Sequence, residues 1–238
     1  IPPSIVLILY GVIPTVSISD LFIAAFIPGF LMAIGLIIYS IYVGKKNNYV
    51  IKDTKFTWKL FFKSLKDAIL ALLMPIIIIG GIISGIFTAT ESGVIAVFYA
   101  LIVGIFIYKE IKIPDLWGIV KNTAVTSTGI LFLIGSAAIF IWYINYESIP
   151  TQLMNIMGFA AENPLLLLLI IKIILLIAGT FIDTISAVTI FTPLFAPMII
   201  AAGVDPVHFG IILAVNLTIG MVTPPLGVCL FVVSSIAK

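Results

Sequence analysis

Residues 210–237, GIILAVNLTIGMVTPPLGVCLFVVSSIA, form an apolar run whose middle is the tripeptide Thr223-Pro224-Pro225. A membrane span needs about 20 helical residues, and this run is long enough to provide one. Two successive prolines remove two amide donors and force the preceding residue out of the helical conformation. We therefore predict two half-helices, residues 210–222 and 226–237, separated by a break.

Such a break has to be enclosed, because an unpaired backbone group in hydrocarbon costs several kcal/mol. Carbonyl groups freed at a break can coordinate a cation, and the N-terminal end of a half-helix favours an anion. The alternative is a simple proline kink without a ligand. Asn216, Thr218, Gly220 and Thr223 supply oxygens and close backbone approach near this break.

A second proline pair lies at the beginning of the chain, where Pro2-Pro3-Ser4 precedes the apolar arm 5–11. The lysine distribution described below makes this first arm run outward and the later broken segment run inward. Opposite directions are what inverted-topology repeats of transporters require.

Two further apolar arms, residues 164–178 and 185–202, are joined by GTFIDT at 179–184. They either cross the membrane fully or form a re-entrant hairpin. A turn at the cytoplasmic face is usually basic, whereas the only charge in this one is Asp183. We therefore favour the re-entrant hairpin.

An aspartate at membrane depth costs ~3 kcal/mol on insertion scales and is by default a functional residue. Asp183 can instead cap the hairpin tip by accepting bonds from local amides, helped by Thr180 and Thr184. Both roles are compatible, because a carboxylate that orders the tip still exerts its field on a neighbouring cation.

The composition predicts an all-α, polytopic membrane protein. Apolar residues make up 62% of the 238, charged residues 9%, and mean hydropathy is +1.33, which no soluble domain of this size can cover with polar surface. The single Cys229 excludes a disulfide framework, and the single His208 excludes a multi-histidine metal centre. The absence of an initiator methionine leads us to expect a fragment of a longer protein.

Apolar runs divide the chain into seven predicted segments. They are 1–20, the second half of a broken helix and an outer loop; 21–43, a span; 44–67, a cytoplasmic amphipathic helix and loop; 68–143, three membrane helices; 144–163, a periplasmic segment; 164–202, the re-entrant hairpin; and 203–238, the Pro-broken helix. With this arrangement every lysine except Lys172 falls on one side of the membrane, which the positive-inside rule makes cytoplasmic.

Four stretches together resemble a known family: Ile1-Pro2-Pro3-Ser4, GGIISGIFTATESGVIAVFYAL at 80–101, FIDTISAVTIFTPLFAPM at 181–198 and NLTIGMVTPPLGV at 216–228. The chain resembles the large membrane subunit of TRAP (tripartite ATP-independent periplasmic) transporters over essentially its whole length. The fragment begins inside the first of the two repeats that this family has.

The resemblance implies an ion-transporter-like elevator fold with inverted repeats, each containing a re-entrant hairpin and a Pro-broken helix. It implies sodium-coupled import of a small organic anion, of the sialic acid or C4-dicarboxylate class, across the bacterial inner membrane. The implied partners are a periplasmic substrate-binding protein, a small membrane subunit, separate or fused, and the lipid bilayer; no nucleic acid is expected. The implied sodium (Na+) ligands are Thr180, Asp183, Thr184, Gly220 and Thr223, and the substrate candidates are Pro3, Ser4, Asn216, Pro224 and Pro225.

Three alternatives remain at this stage. One is a binding-protein-independent sodium/dicarboxylate carrier of similar fold, and another is a non-transporting structural membrane subunit. The third is an intramembrane enzyme with Asp183 and Glu91 as a catalytic pair. We disfavour the enzyme, because the two acids lie in different membrane regions and no second acid accompanies Asp183 in its hairpin. Glu91 is expected to cap the helix that follows it.

Overall fold

The computed structural model describes residues 2–47, 57–157, 163–225 and 227–236, and its regular structure there is entirely helical. The helices are α1 (Ile5–Val12), α2 (Ile18–Lys46), α3 (Trp58–Ile83), α4 (Ala89–Ile102), which continues as a π-helix over Val103–Ile107, α5 (Ile113–Tyr146), α6 (Ile149–Ile156), α7 (Pro164–Phe181), α8 (Thr184–Ala201), α9 (Pro206–Gly220) and α10 (Val228–Ile236).

Six of these helices are long and apolar enough to cross a membrane. They are α2, α3, α4 with its π-helical extension, α5, α7 and α8, with mean hydropathy between 1.8 and 2.6 in their most apolar windows. The protein is therefore a multi-pass, all-α membrane protein, as the composition predicts. The arms α7 and α8 have 18 residues each, a length that allows a full crossing as well as re-entry, so re-entry stays a prediction.

The structure differs from the predicted segments at α3. The sequence places an amphipathic helix and loop over 44–67 and a new membrane helix from residue 68, but Trp58–Ile83 is one continuous helix. The reason is local: no glycine or proline occurs between residue 58 and Pro75, so nothing ends the helix at Asp67. Residues 48–56 of the predicted segment, and 158–162 of the predicted periplasmic segment, lie outside the described residues.

The chain divides into two compact units. The first unit comprises residues 1–3 and 25–119, and the second comprises 4–24 and 120–238. In the first unit, α3 and α4 form a helical hairpin in which the Tyr99 hydroxyl donates to the Leu70 carbonyl at 2.7 Å. A capping box begins α4, because Thr88 and Glu91 exchange side-chain and backbone hydrogen bonds. The predicted capping role of Glu91 is thus confirmed.

The core of the second unit is built from rows of residues four apart on α7 and α9. On α7 the row Leu167, Ile171 and Leu175 is fully buried and ends in the buried Gly179. On α9 the row Phe209, Leu213 and Leu217 is buried in the same way. Such rows form the ridges by which helices interlock. The packing fixes the end of α7, and with it the hairpin tip, against the end of α9.

Candidate functional site

The tip of the α7–α8 hairpin is a short connection made by Ile182 and Asp183. The Ile182 amide still donates to the Ala178 carbonyl of α7, at 3.0 Å. The Asp183 side chain then begins α8, because its Oδ1 accepts from the amides of Ile185 at 3.0 Å and Ser186 at 3.1 Å. Asp183 therefore caps the tip, as one of its two predicted roles requires, and its side chain is exposed.

The two threonines that flank the tip are both buried, with 7% of each residue exposed. Thr180 donates from Oγ1 to the Ile177 carbonyl within its own helix, at 2.8 Å. Thr184 instead reaches out of the hairpin and donates to the Met221 sulfur at 2.7 Å. Because Met221 directly follows α9, this contact ties the hairpin tip to the broken segment.

The broken segment is a gap between two helices rather than a kink within one continuous helix. Helix α9 ends at Gly220 and α10 begins only at Val228, with a cis bond between Pro224 and Pro225 in between. A hydrogen bond of 3.2 Å from the Cys229 amide to the Met221 carbonyl joins the two sides. The break is thus wider than the three residues that the sequence predicts.

The Thr223 hydroxyl is engaged at the end of α9. Its Oγ1 donates to the Ile219 carbonyl at 2.7 Å, and its amide donates to the Gly220 carbonyl at 3.0 Å. A hydroxyl that donates in this way keeps its oxygen lone pairs as acceptors. Thr223 therefore remains able to offer an oxygen to a cation.

The hairpin and the broken helix touch backbone to backbone at Gly179 and Gly220. A Cβ atom added to Gly220 would lie 2.6 Å from the carbonyl carbon of Gly179 and 2.8 Å from its carbonyl oxygen. A side chain on Gly220 would separate the two elements, whereas a Cβ on Gly179 would lie 3.3 Å or more from its neighbours. The missing side chain of Gly220 therefore allows the broken helix to pack directly on the backbone of the hairpin.

Asn216 lies on α9 one turn before Gly220, where helical geometry places residues four apart on the same face. It is only 2% exposed, and its Nδ2 group has no hydrogen-bond partner among the described residues. A buried, unsatisfied amide donor costs about 1–3 kcal/mol. Such a group is a candidate ligand-binding residue, because a bound acceptor would remove that cost.

Helix α1, the first predicted arm, packs in the same unit against α8 and α9. The Tyr10 hydroxyl donates to the Pro206 carbonyl at 2.6 Å, and its ring meets Phe209 edge to face with centroids 6.2 Å apart. The end of α1 therefore lies at the beginning of α9. This is the arrangement expected of two arms that run in opposite directions.

The predicted site residues separate into two groups. Thr180, Thr184, Gly220 and Thr223 lie on the joined ends of the hairpin and the broken helix. Asp183 caps α8 at the tip, and the buried Asn216 lies one turn before Gly220, so both belong with this first group. The other four lack such contacts: Ser4 begins α1 without a side-chain capping bond, and Pro3, Pro224 and Pro225 are exposed. Sequence reasoning did not assign a role to Tyr10, Gly179 or Met221. Of these, only Gly179 carried a recognisable signal, because it is the first residue of GTFIDT.

Two cavities of the second unit border the α8 arm. One, of about 240 Å³, lies between α5 and α8, and its polar lining groups are Ser136, Ser186 and Thr189. It begins next to the tip, because the Ser186 amide is one of the two that Asp183 caps. The other, of about 310 Å³, includes Asn145 and the fully buried Thr192, whose Oγ1 has no partner among the described residues.

The described residues contain no group of three His, Cys, Asp or Glu side chains that could hold a metal ion. That donor set suits zinc and other transition metals, whereas a hard monovalent cation takes carbonyl, hydroxyl and carboxylate oxygens. Oxygens of this kind are present where the hairpin tip meets the break. The chemistry of the site therefore fits a sodium ion better than a transition metal.

Comparison with known proteins agrees with this architecture. The family model "Tripartite ATP-independent periplasmic transporter, DctM component" matches residues 1–238. The chain is 40% identical over 236 residues to the sialic acid TRAP transporter large permease protein SiaM of Vibrio cholerae, covering 99% of this chain and 55% of the relative. It is also 40% identical over 238 residues to the isethionate TRAP transporter permease protein DctMQ of Oleidesulfovibrio alaskensis, covering 100% and 38%.

A third relative is the C4-dicarboxylate TRAP transporter large permease protein DctM of Pseudomonas aeruginosa, 33% identical over 236 residues, with 99% of this chain and 55% of the relative covered. The chain thus spans about half the length of the large permease proteins that it matches. All three relatives are named as permeases, which are transporters and not enzymes. Because the family model covers the whole chain, the protein belongs to the DctM component family of tripartite ATP-independent periplasmic transporters.

Proposed function

We propose that this chain is the membrane permease part of a sodium-coupled, binding-protein-dependent importer of small organic anions. The observation that carries the proposal is the contact between hairpin tip and broken helix, made by Gly179 with Gly220 and by Thr184 with Met221. Transporters place coupling-ion sites at breaks of this kind, where carbonyls leave the helical pattern.

The sodium ion would lie between the tip and the break. Asp183 caps α8 through Oδ1, so Oδ2 is the oxygen that would supply charge to the cation. Thr180, Thr184 and Thr223 would offer hydroxyl oxygens, and Gly220 would offer its carbonyl. The uncharged ligands bind the ion weakly enough to release it, as a transport cycle requires.

The substrate would be a small organic anion. Relatives are named for sialic acid, isethionate and C4-dicarboxylates, all of which carry an acidic group. The chain has no arginine, and neither 179–184 at the tip nor 216–228 at the break contains a lysine, so a neutral donor would contact that group within these two segments. The unpaired Nδ2 of the buried Asn216 suits this role, with Pro3, Ser4, Pro224 and Pro225 as weaker candidates at the two proline pairs.

Two protein partners follow from the family. A periplasmic binding protein would deliver the substrate, and a small membrane subunit would complete the permease in the bacterial inner membrane. One relative is named permease protein DctMQ, which supports a fused small subunit, and others are named large permease proteins, which supports a separate one. We propose an elevator mechanism, in which the hairpin and the broken helix carry ion and substrate together across the membrane.

Sodium provides enough free energy for this cycle. Each positive charge that crosses 100 mV gains ~2.3 kcal/mol, so two uncompensated sodium charges give ~4.6 kcal/mol. That corresponds to a concentration ratio of roughly a few thousand, before the sodium gradient itself is counted. An anionic substrate lowers the net charge moved and therefore the electrical contribution.

The test is uptake of labelled organic anions into proteoliposomes that contain the full-length protein with its small subunit. Sodium and the cognate binding protein are each present or absent, and we expect uptake only when both are added. Uptake that needs sodium but not the binding protein would favour the binding-protein-independent carrier. A structural subunit would support no uptake under any of these conditions. Its melting temperature would also be unaffected by Asp183→Asn and Thr184→Val.

A further inference from the structure

The first ten residues of α3 extend beyond the apolar part of the helix. A helix of 26 residues is about 39 Å long, whereas the hydrocarbon layer is about 30 Å thick. All charges of α3 lie in residues 58–67, and residues 68–83 are uncharged. With the uncharged part in hydrocarbon, the charged first turns lie at the depth of the lipid headgroups, on the side that the lysines predict to be cytoplasmic.

The charged turns of α3 carry one row of lysines. Lys59, Lys63 and Lys66 are four and three residues apart, a spacing that places their side chains on one face of the helix. Asp67 is the only acidic residue in α3, so this part of the helix is strongly basic. The row therefore presents three ammonium groups, each with three donors, at headgroup depth.

Aromatic rings border this row. Trp58 and Phe62 stack with ring centroids 6.1 Å apart, and Phe61 meets Phe62 edge to face at 5.5 Å. Trp58 is 66% exposed and Phe62 is 60% exposed. Tryptophan and other aromatic side chains concentrate at the membrane interface, where their rings contact the upper part of the lipid.

The neighbouring helix does not cover these rings. The Tyr108 hydroxyl, just after the π-helical extension of α4, donates to the Asp67 carbonyl at 2.9 Å. Asp67 is nine residues after Trp58, which is two and a half helical turns. Tyr108 thus approaches α3 from the side opposite Trp58. The aromatic face is therefore turned away from Tyr108. Lys59, Lys63 and Lys66 lie between that face and the side of Asp67, and all three are exposed.

We propose that Lys59, Lys63 and Lys66, together with Trp58 and Phe62, form a binding site for an anionic phospholipid of that leaflet. The lysines bind the negatively charged headgroup phosphate, and the rings contact the glycerol and the first methylene groups. A basic row alone would also attract free phosphate. The rings make a lipid the expected ligand, because Phe62 is followed on the same helix face by the apolar Leu65 and Ile69, which acyl chains can contact.

The site can be tested on the full-length protein, purified with its small subunit in mild detergent. Native mass spectrometry measures how much phosphatidylglycerol and phosphatidylcholine stay bound when both are supplied in equal amounts. The test variant is K59Q/K63Q/K66Q, and the matched control is K109Q/K112Q/K121Q, which removes the same number of charges from the same predicted side. A second variant, W58A/F62A, keeps every charge.

We expect the wild-type protein to retain phosphatidylglycerol in preference to phosphatidylcholine. Removal of the lysine row should lower that retention by about tenfold or more, since each lysine near an anionic surface contributes roughly fivefold. The control should retain the wild-type amount, and W58A/F62A should lose a measurable part of it. Gel filtration of each variant shows that the complex remains folded.

Three results would overturn the proposal. Equal loss in both triple-lysine variants would mean general charge attraction without a site. Displacement of the lipid by millimolar inorganic phosphate would mean an anion site that does not need a lipid. Unchanged retention in K59Q/K63Q/K66Q would mean that the lysine row binds no lipid; if that variant fails to fold, the single variant K63Q gives the same answer.

Discussion

Gly179 and Gly220 bring the hairpin α7–α8 and the broken helix into backbone contact, since a Cβ on Gly220 would lie 2.6 Å from the Gly179 carbonyl carbon. The atoms that such a Cβ would meet belong to the backbone, which cannot rotate away as a side chain can. The contact therefore leaves room for hydrogen only. It also predicts that the smallest substitution at this position has a large effect.

Gly220→Ala should destabilise the protein by about 1–3 kcal/mol, the usual cost of an extra carbon in a packed interior. It should also lower sodium-dependent uptake, because the tip and the break are pushed apart. The matched control is Gly135→Ala on α5, where a Cβ meets nothing within 4 Å. Alanine is the better helix former by ~1 kcal/mol, so the control should melt at the same temperature or higher. Equal melting temperatures for the two variants would contradict the close contact.

Tyr10→Phe tests the attachment of α1 to α9. The change removes one hydroxyl, whose bond to the Pro206 carbonyl measures 2.6 Å, and should cost ~1 kcal/mol. Tyr10→Ala also removes a fully buried ring packed on Phe209 and should cost about 3–5 kcal/mol. Thermal unfolding of the full-length protein in detergent measures both values. Tyr146→Phe serves as the control, because its side chain is 71% exposed and the change should have almost no effect.

The positions of the break and the hairpin tip could be predicted because each depends on local chemistry. Pro224-Pro225 ends a helix wherever it occurs, and GTFIDT combines a glycine with a capping aspartate. The continuous α3 was missed because the change from charged to apolar residues at 67–68 alters the surroundings of a helix without ending it. Composition predicts whether lipid or water surrounds a segment, whereas the end of a helix is predicted only by helix-breaking residues such as proline and glycine.

The tertiary contacts of the site could not be predicted. Tyr10 and Pro206 are 196 residues apart, and no spacing along the chain relates a tyrosine hydroxyl to a distant carbonyl. Met221 resembled an ordinary apolar residue, because its role depends on the Thr184 hydroxyl that the folded hairpin places beside its sulfur. Residues that act through such contacts have side chains common in any apolar helix. They become recognisable only when the partner is placed beside them.

Asp183 has two functions in our proposal, and two substitutions separate them. Asp183→Asn keeps an oxygen for the amides of Ile185 and Ser186, so stability should hardly change. Asp183→Ala loses the cap and should cost ~1 kcal/mol. Both remove the charge, so both should raise the sodium concentration for half-maximal uptake by about tenfold, the equivalent of ~1.4 kcal/mol. Thermal melts and sodium titrations of uptake provide the two measurements.

Asp205 provides the matched control for Asp183, because it caps α9 in the same way by accepting from the His208 amide at 2.9 Å. Asp205→Ala should lose about as much stability as Asp183→Ala. It should leave the sodium dependence unchanged, since Asp205 lies at the other end of α9. If the Asp183 variants need the same sodium concentration for half-maximal uptake as Asp205→Ala, Asp183 acts only as a helix cap.

Asn216→Leu should change stability and uptake in opposite directions. Leucine has a similar volume and no donor, so it removes the cost of burying an unpaired Nδ2 group, and the melting temperature should stay equal or rise. If that group binds the acidic substrate, the same change removes a hydrogen bond to a charged acceptor, worth about 1.5–3 kcal/mol. Half-maximal uptake should then need at least about tenfold more substrate, with sodium dependence kept. A variant that is less stable and transports with unchanged substrate affinity would show that Asn216 is a packing residue, because a purely structural role lowers stability without affecting substrate binding.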